Sequence, residues 1–214
     1  MGHSAPSKQQ QGPLKRVTLL EENENSRDIY DEWADNYDND LVASYGYRAP
    51  RLAVDAFEPL CDDRDALIMD FGCGTGLAGV ELRNRGFTNI HGLDVSRGML
   101  DVAARTKAYC ELFVGDLTTS IDTPDATYDA LIGVGIFGNG HVTASNLPEM
   151  LRIAKRGAPF VIYLNDMAYT GLDYADTFRG YAAAGVWNIL SVQTSNYISE
   201  LERPGWTIVG RNAG

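Results

Sequence analysis

The chain has few cysteines and no long apolar run, and each shortage excludes a class of protein. It has three cysteines in 214 residues and no C-x-x-C spacing, which argues against a disulfide framework and a zinc site, so we expect no metal. No apolar stretch reaches membrane-spanning length, and residues 1–11 lack the apolar segment of a secretory signal. We therefore expect a cytoplasmic protein with reduced thiols and no membrane partner.

Basic residues are scarce as well. Lysine and arginine number 18 against 29 aspartate and glutamate residues, for a net charge of −11. A chain this acidic repels phosphate backbones, so we expect no nucleic-acid partner. The oligomeric state has no signal in the sequence.

The length predicts a single domain behind a short tail. Residues 1–24 are rich in Gln, Ser, Pro, Glu and Asn, which predicts disorder. Residues 25–214 then form one domain, with a helical lid over 25–60 and a core over 65–214. In the core, short apolar strands alternate with amphipathic helices, which predicts a doubly wound, mostly parallel α/β sheet.

The last part of the chain changes pattern. Trp187–Tyr197 alternates and is rich in β-formers, and Pro204-Gly205 precedes a second such segment, Trp206–Val209. This pattern predicts a hairpin of two strands, with the turn at Pro204-Gly205.

A glycine-rich turn is the most informative motif. The apolar run Ala66–Met69 predicts a buried strand, Leu77–Arg85 predicts a helix, and Asp70-Phe71-Gly72-Cys73-Gly74-Thr75-Gly76 lies between them. Such glycines let the backbone approach a ligand at a helix N-terminus. Leu77 stands where a dinucleotide fingerprint needs a small residue, and the Gly-Lys-Ser/Thr of a P-loop is absent.

Three further strands follow at compatible spacing. Asn89–Asp94 ends in an acid about twenty residues past the turn, where a carboxylate can bind ribose hydroxyls. Tyr109–Val114 leads to Gly115-Asp116-Leu117, and Tyr128–Gly133 leads into the loop Val134–Val142.

Together these motifs resemble the class I S-adenosylmethionine-dependent methyltransferases, over about residues 28–211. Tyr30–Asp38 reads Y-D-E-W-A-D-N-Y-D and resembles the opening of the Williams-Beuren syndrome region methyltransferase-like proteins, relatives of the ubiquinone and menaquinone methyltransferases. Tyr47–Pro50 and the loop Gly133–Val142 resemble that group too. The resemblance implies a Rossmann-like seven-stranded sheet with a terminal antiparallel hairpin. It also implies S-adenosylmethionine as cofactor and S-adenosylhomocysteine as product.

The resemblance distributes the parts of the cofactor along one edge of the sheet. It places Asp70 near the ammonium group and Asp94 at the ribose hydroxyls. It places Asp116 at the adenine amino group, with Leu117 packed on the ring. The full set of expected cofactor contacts is Tyr30, Trp33, Tyr37, Asp70, Gly72, Cys73, Gly74, Asp94, Val95, Met99, Asp116, Leu117, Gly133 and Val134.

Each assignment has a structural alternative. Asp70 can instead stabilise the helix N-terminus, Asp94 can be a turn residue, and Met99 can belong to the core. The three aromatic side chains of the N-terminal helix share one face, and they either cover the sulfonium or dock the helix.

The acceptor is expected near the loops after the fourth and fifth strands. His141 is the candidate general base, although it can also cap a helix or contact the cofactor, and methyl transfer needs no base when alignment is good. Asn165, Asp166 and Tyr169 are candidate acceptor contacts.

The sequence thus predicts methyl transfer to a small-molecule acceptor at an O, S, N or C atom. The alternatives are a non-catalytic S-adenosylmethionine-binding protein, a protein or RNA methyltransferase, and an NAD-dependent oxidoreductase.

Overall fold

The computed structural model describes residues 46–138, 142–198 and 203–214, without the side chain of residue 203. These residues form a seven-stranded sheet in the order β3-β2-β1-β4-β5-β7-β6. Strands β1 to β5 are mutually parallel, and β7 runs antiparallel to both β5 and β6. The strands are β1 (Ile68–Phe71), β2 (Ile90–Asp94), β3 (Glu111–Val114), β4 (Ala130–Val134), β5 (Pro159–Asn165), β6 (Trp187–Ile198) and β7 (Arg203–Asn212).

Helices cover both faces of this sheet. The α-helices are α1 (Ala49–Phe57), α2 (Leu77–Asn84), α3 (Arg97–Thr106), α4 (Leu147–Arg152) and α5 (Tyr174–Ala183). Two 3₁₀ turns (Glu58–Leu60 and Ala144–Asn146) and one π-helical turn (Met167–Gly171) complete the described elements. The Rossmann-like doubly wound fold with an antiparallel hairpin is therefore confirmed.

The core has two parts, one on each side of the sheet. Met69, Phe71 and Leu131 pack with residues of α4 and α5, while Ile68 and Ile132 pack with residues of α1 and α2. All residues of β1 are buried, as expected for a central parallel strand covered on both faces.

Side-chain hydrogen bonds set the start of one helix and of one strand. Ser96 is of a residue type favoured at helix N-caps, and it caps α3 by accepting a hydrogen bond from the Met99 amide at 3.0 Å. Strand β1 starts two residues later than expected, at Ile68, because the Leu67 N–H bonds to the Asp129 side chain at 3.0 Å.

The predicted turn at Pro204-Gly205 is wrong. Both residues lie within β7, where Pro204 pairs with Asn196 and Gly205 with Ser195 and Asn165. Proline is tolerated there because it lies at the end of the strand, where only β6 is its neighbour. Gly205 is needed because a β-carbon at that position would overlap the hydroxyl of Tyr163.

The described residues contain neither a membrane-spanning helix nor a cluster of metal ligands. None of their helices is both long and apolar enough to cross a membrane. In the same residues, no group of three or more His, Cys, Asp or Glu side chains is arranged to hold a metal ion.

Candidate functional site

The glycine turn lies between β1 and α2 and needs all three of its glycines. Gly72, Gly74 and Gly76 have φ values of +58°, +53° and +96°, a region that favours glycine. A β-carbon at Gly72 would also overlap Ile136, whereas one at Gly74 would meet nothing within 4 Å. The backbone at Gly74 is therefore open to a ligand.

Asp94 ties this turn to the end of β2. Its Oδ2 accepts a hydrogen bond from the Gly74 amide at 2.9 Å, and its Oδ1 accepts one from the Ser96 amide at 2.9 Å. The Cys73 amide donates to the Leu93 carbonyl at 3.1 Å. The structure thus brings the glycines and the predicted ribose-binding acid together at the carboxyl ends of two adjacent strands, where ligands bind in such sheets.

Asp70 lies beneath the turn and is only 1% exposed. Its Oδ2 accepts a hydrogen bond from the Tyr109 hydroxyl at 2.7 Å. Burial is the main cause that raises the pKa of Asp70 to about 7. The charge of Asp94 adds to it, and the Tyr109 hydrogen bond opposes it.

Cys73 has an unreactive thiol. Its side chain is buried, and burial together with the Asp70 and Asp94 carboxylates raises the thiol pKa well above its usual value. The thiol therefore stays protonated, and Cys73 acts as a small residue within the turn.

The predicted adenine contacts lie after β2 and β3. Asp116 is exposed, and its Oδ1 accepts hydrogen bonds from the amide and hydroxyl of Thr118 at 2.8 and 2.6 Å. Leu117 and Met99 are buried at 6% and 2% exposure, and Val95 is half-buried. Met99 therefore packs in the interior of the protein.

The end of β4 lies beside the glycine turn. A β-carbon at Gly133 would come within 2.7 Å of Ile136 Cδ1, and the same side chain lies against Gly72. Ile136 thus lies across the ends of β1 and β4, and Val134 at the strand end is half-buried. No sequence pattern pointed to Ile136 beyond the two glycines that make room for it.

The candidate acceptor residues meet at the end of β5. Asn165 Oδ1 accepts from the Ala168 amide at 2.9 Å, and Asp166 Oδ1 accepts from the Trp206 indole N–H at 2.8 Å. Tyr169 stacks on the Trp206 ring with centroids 4.3 Å apart. Trp206 was missed because only the antiparallel pairing of β7 with β5 brings it to this edge.

A cavity of about 450 Å³ extends from Tyr169 between α5 and the hairpin. Its lining is mainly apolar and comprises Tyr169, Ala175, Phe178, Arg179, Ala182, Ile189, Val192 and Ile208. Strands β6 and β7 lie at the opposite end of the sheet from β2 and β3, so this cavity is separate from the glycine turn. Four predicted site residues, Tyr30, Trp33, Tyr37 and His141, lie outside the described residues.

Comparison with known proteins identifies the family. Residues 68–158 match the methyltransferase domain family. This region contains the glycine turn, Asp94, Asp116 and the end of β4. This part of the chain is a class I S-adenosylmethionine-dependent methyltransferase domain. Its cofactor is S-adenosylmethionine, as predicted, whereas its closer subgroup stays a prediction.

Curated relatives of this methyltransferase include one long match and shorter ones. Human methyltransferase-like protein 27 is 43% identical over 166 residues, covering 74% of this chain and 66% of that protein. The 18S rRNA (guanine-N(7))-methyltransferase of Bos taurus is 36% identical over 81 residues, covering 37% of this chain and 28% of that protein. The chain thus spans less than two thirds of each of these two relatives.

Solved structures share the fold of this methyltransferase at low identity. One is a chain of the complex between the Haloferax volcanii Trm112 methyltransferase activator and a methyltransferase. Its TM-score is 0.67 and its identity 19%, over 86% of this chain and 98% of that one. The [4+2]-cyclase SpnF also has a TM-score of 0.67, at 17% identity over 87% of this chain and 94% of that one.

These relatives correct the partner prediction. The prediction of a small-molecule acceptor and no nucleic-acid partner is wrong. Similar proteins include 18S rRNA methyltransferases and a methyltransferase solved with a protein activator. The physical reason is that the net charge of −11 is a sum over the whole chain. Binding of an acceptor depends on the local surface around the site, and a bound protein can change that surface.

Proposed function

We propose that this protein transfers the methyl group of S-adenosylmethionine to an acceptor that approaches over the loops after β4 and β5. The observation that carries the proposal is the Asp94–Gly74 hydrogen bond of 2.9 Å. It holds the acid and the open glycine backbone side by side, as a nucleoside ligand requires at this edge. The chain covers only 66% of the length of its human relative. The reaction of the whole protein is therefore part of the proposal.

The cofactor contacts follow the carboxyl ends of the strands. Asp94 would accept hydrogen bonds from the ribose hydroxyls, while Asp70 would place negative charge beneath the amino-acid part of the cofactor. Asp116 and Leu117, with Val95 and Met99, would contact adenine. Gly72, Cys73, Gly74, Gly133 and Val134 would let the backbone approach the methionine part.

The chain contributes alignment and exclusion of water. Bound S-adenosylmethionine supplies a methyl group on a positively charged sulfur that leaves as a neutral thioether. Holding the acceptor in line with that methyl group can supply much of the rate. We propose that Tyr30, Trp33 and Tyr37, in the part of the predicted lid (residues 25–60) that precedes α1, cover the sulfonium, whereas α1 itself packs on the sheet. His141 would take a proton from an acceptor that loses one.

The acceptor side would be formed by Asn165, Asp166 and Tyr169. In support, Asp166 and Tyr169 are held in place by Trp206 through a hydrogen bond and a ring stack. The matches to 18S rRNA methyltransferases make RNA an acceptor class to test. The cyclase relative has the same fold, so a cofactor-binding protein without methyl transfer is the alternative. The cytoplasmic location and the tail at 1–24 stay predictions.

The first test is calorimetric titration with S-adenosylmethionine and S-adenosylhomocysteine, with NADH in parallel. We expect both adenosyl ligands to bind and NADH not to bind. Asp94→Ala should weaken binding about 10–100-fold, because hydrogen bonds to a charged group are lost. The matched control is Asp101→Ala, an exposed acid on α3 in an ion pair with Arg97. Equal affinity of the Asp94→Ala variant and the wild type would contradict the ribose assignment.

The second test is transfer of a labelled methyl group to three separate pools: total RNA, total protein and small molecules. We expect label in one pool with the wild type and the Asp101→Ala variant, and far less with Asp94→Ala. Tight cofactor binding without label in any pool would favour the non-catalytic alternative. Binding of NADH alone would instead favour an oxidoreductase.

A further inference from the structure

The ring of Tyr109 fills a space beneath the glycine turn that three glycines leave for it. A β-carbon at Gly79 would overlap the ring, and one at Gly76 would come within 3.0 Å of its Cε2 atom. A β-carbon at Gly92 would come within 3.0 Å of its Cδ1 atom. These glycines belong to α2, the turn and β2, so three elements converge on one phenol.

Gly79 is the most informative of the three. It lies in the first turn of α2, and its φ is not in the left-handed region. Glycine inside a helix is destabilising relative to alanine. The position of the Tyr109 ring therefore accounts for a glycine that the helix itself does not need.

The Tyr109 hydroxyl links two groups of the site. It donates a hydrogen bond to Asp70 Oδ2 at 2.7 Å and accepts one from the Gly79 amide at 3.1 Å. The Gly79 amide is one of the N–H groups at a helix start that have no partner within the helix. Gly76 at the N-cap has no side chain that could satisfy it.

We propose that Tyr109 is a positioning residue of the cofactor site, whose hydroxyl joins the Asp70 carboxylate to the first turn of α2 and so fixes the glycine turn. The inference rests on the proposed function, because it takes the glycine turn as the place where the cofactor binds. Tyr109 touches neither the cofactor nor the acceptor in this account. It acts through Asp70 and the helix.

The arrangement makes cofactor binding depend on a proton at Asp70. Among the described residues, the titratable groups that face this carboxylate are the Tyr109 hydroxyl, the Cys73 thiol and the Asp94 carboxylate. Burial and Asp94 raise the pKa of Asp70, and the Tyr109 hydroxyl is the group that opposes them. Without that hydroxyl, Asp70 would keep its proton to a higher pH. A neutral Asp70 no longer attracts the ammonium group of the ligand.

The test compares affinities for S-adenosylhomocysteine between pH 6 and 8.5 in the full chain. The variants are Tyr109→Phe and, as the matched control, Tyr128→Phe. Tyr128 is also buried, and its hydroxyl lies 3.1 Å from His91 Nδ1. Tyr128→Phe therefore removes the same hydroxyl group, but at a position away from the glycine turn. Titration of the ligand is common to all curves and cancels in their comparison.

We expect the wild-type affinity to rise with pH and level off near pH 8, about one unit above the Asp70 pKa of about 7. For Tyr109→Phe the rise should occur about one pH unit higher, which gives about tenfold weaker binding below pH 7. At pH 8.5 the affinity should approach that of the wild type. The Tyr128→Phe variant should follow the wild-type curve throughout.

A second variant reaches the same contact from the other side. Gly79→Ala places a β-carbon in the ring and should displace the phenol, so its affinity curve should shift in the same direction. If Tyr109→Phe binds as the wild type does, or is weaker by one constant factor at every pH, the inference is wrong. If the wild type itself binds no S-adenosylhomocysteine at any pH, the proposed function fails instead.

Discussion

Replacing Asp70 with asparagine should make the ligand-free protein more stable at neutral pH. The Asp70 carboxyl is 1% exposed, and its pKa is about 7 instead of the usual value of 3.8 for an aspartate. At 1.36 kcal/mol per pKa unit, this difference means that folding disfavours the charged form by about 4 kcal/mol. That is a large share of the ~5–15 kcal/mol by which proteins are stable.

The raised pKa of Asp70 makes the stability of the protein fall as pH rises. In the unfolded chain Asp70 loses its proton near pH 4, whereas in the folded protein it keeps the proton up to about pH 7. Between these values the unfolded state binds fewer protons, so stability falls as pH rises and becomes level near pH 8. Asparagine does not titrate, and its amide oxygen can still accept the Tyr109 hydrogen bond.

Urea unfolding between pH 4 and 8.5 measures this difference. The free energy of unfolding of Asp70→Asn should exceed that of the wild type by an amount that grows to about 4 kcal/mol at pH 8. The control is Asp101→Asn, which replaces a side chain that is 69% exposed. Its free energy of unfolding should not gain on that of the wild type as pH rises. A gain that does not grow with pH, or a less stable Asp70→Asn variant, would refute the reasoning. The same variant should bind S-adenosylhomocysteine more weakly, since the buried charge then serves binding at a cost in stability.

Two further predictions concern the acceptor side. Trp206→Phe keeps a ring against Tyr169 but removes the indole N–H donated to Asp166, so the KM for the acceptor should rise about tenfold or more. The affinity for S-adenosylhomocysteine should stay within about twofold of the wild type, and an equal loss in both quantities would place Trp206 elsewhere in the mechanism. His141→Ala should lower kcat about 100-fold or more if His141 is the base, with cofactor affinity unchanged. Near-full turnover of that variant would exclude His141 as the base.

Local chemistry made part of this structure predictable. The Ser96 cap marks the start of α3, and the spacing of glycines marks the turn after β1, because both depend on residues close in sequence. Asp94 was predictable for a related reason, since parallel strands place their carboxyl ends at one edge. Its bond to Gly74 spans 20 residues but follows directly from that topology.

Contacts between distant segments were not predictable in this way. The Tyr109 hydroxyl meets Asp70 across 39 residues, and no periodic pattern relates the two. The available signal was indirect: Gly79 stands inside a helix that would favour alanine there. Trp206 meets Asp166 across 40 residues, and no local pattern relates these two residues either. The predicted hairpin turn at Pro204-Gly205 was wrong because both residues lie within β7.

The position of β7 has a consequence for the order in which the sheet can be completed. Strand β6 precedes β7 in the chain, yet within the sheet its only strand neighbour among the described residues is β7. During synthesis, which proceeds from the N-terminus, β6 therefore emerges before the strand that attaches it. Until Arg203–Asn212 is available, β5 has an unpaired edge beside the acceptor loops, and Trp206 cannot reach Asp166. The acceptor side of the site can thus be completed only after Arg203–Asn212 is made, whereas strands β1, β2 and β4 of the cofactor side come earlier in the chain.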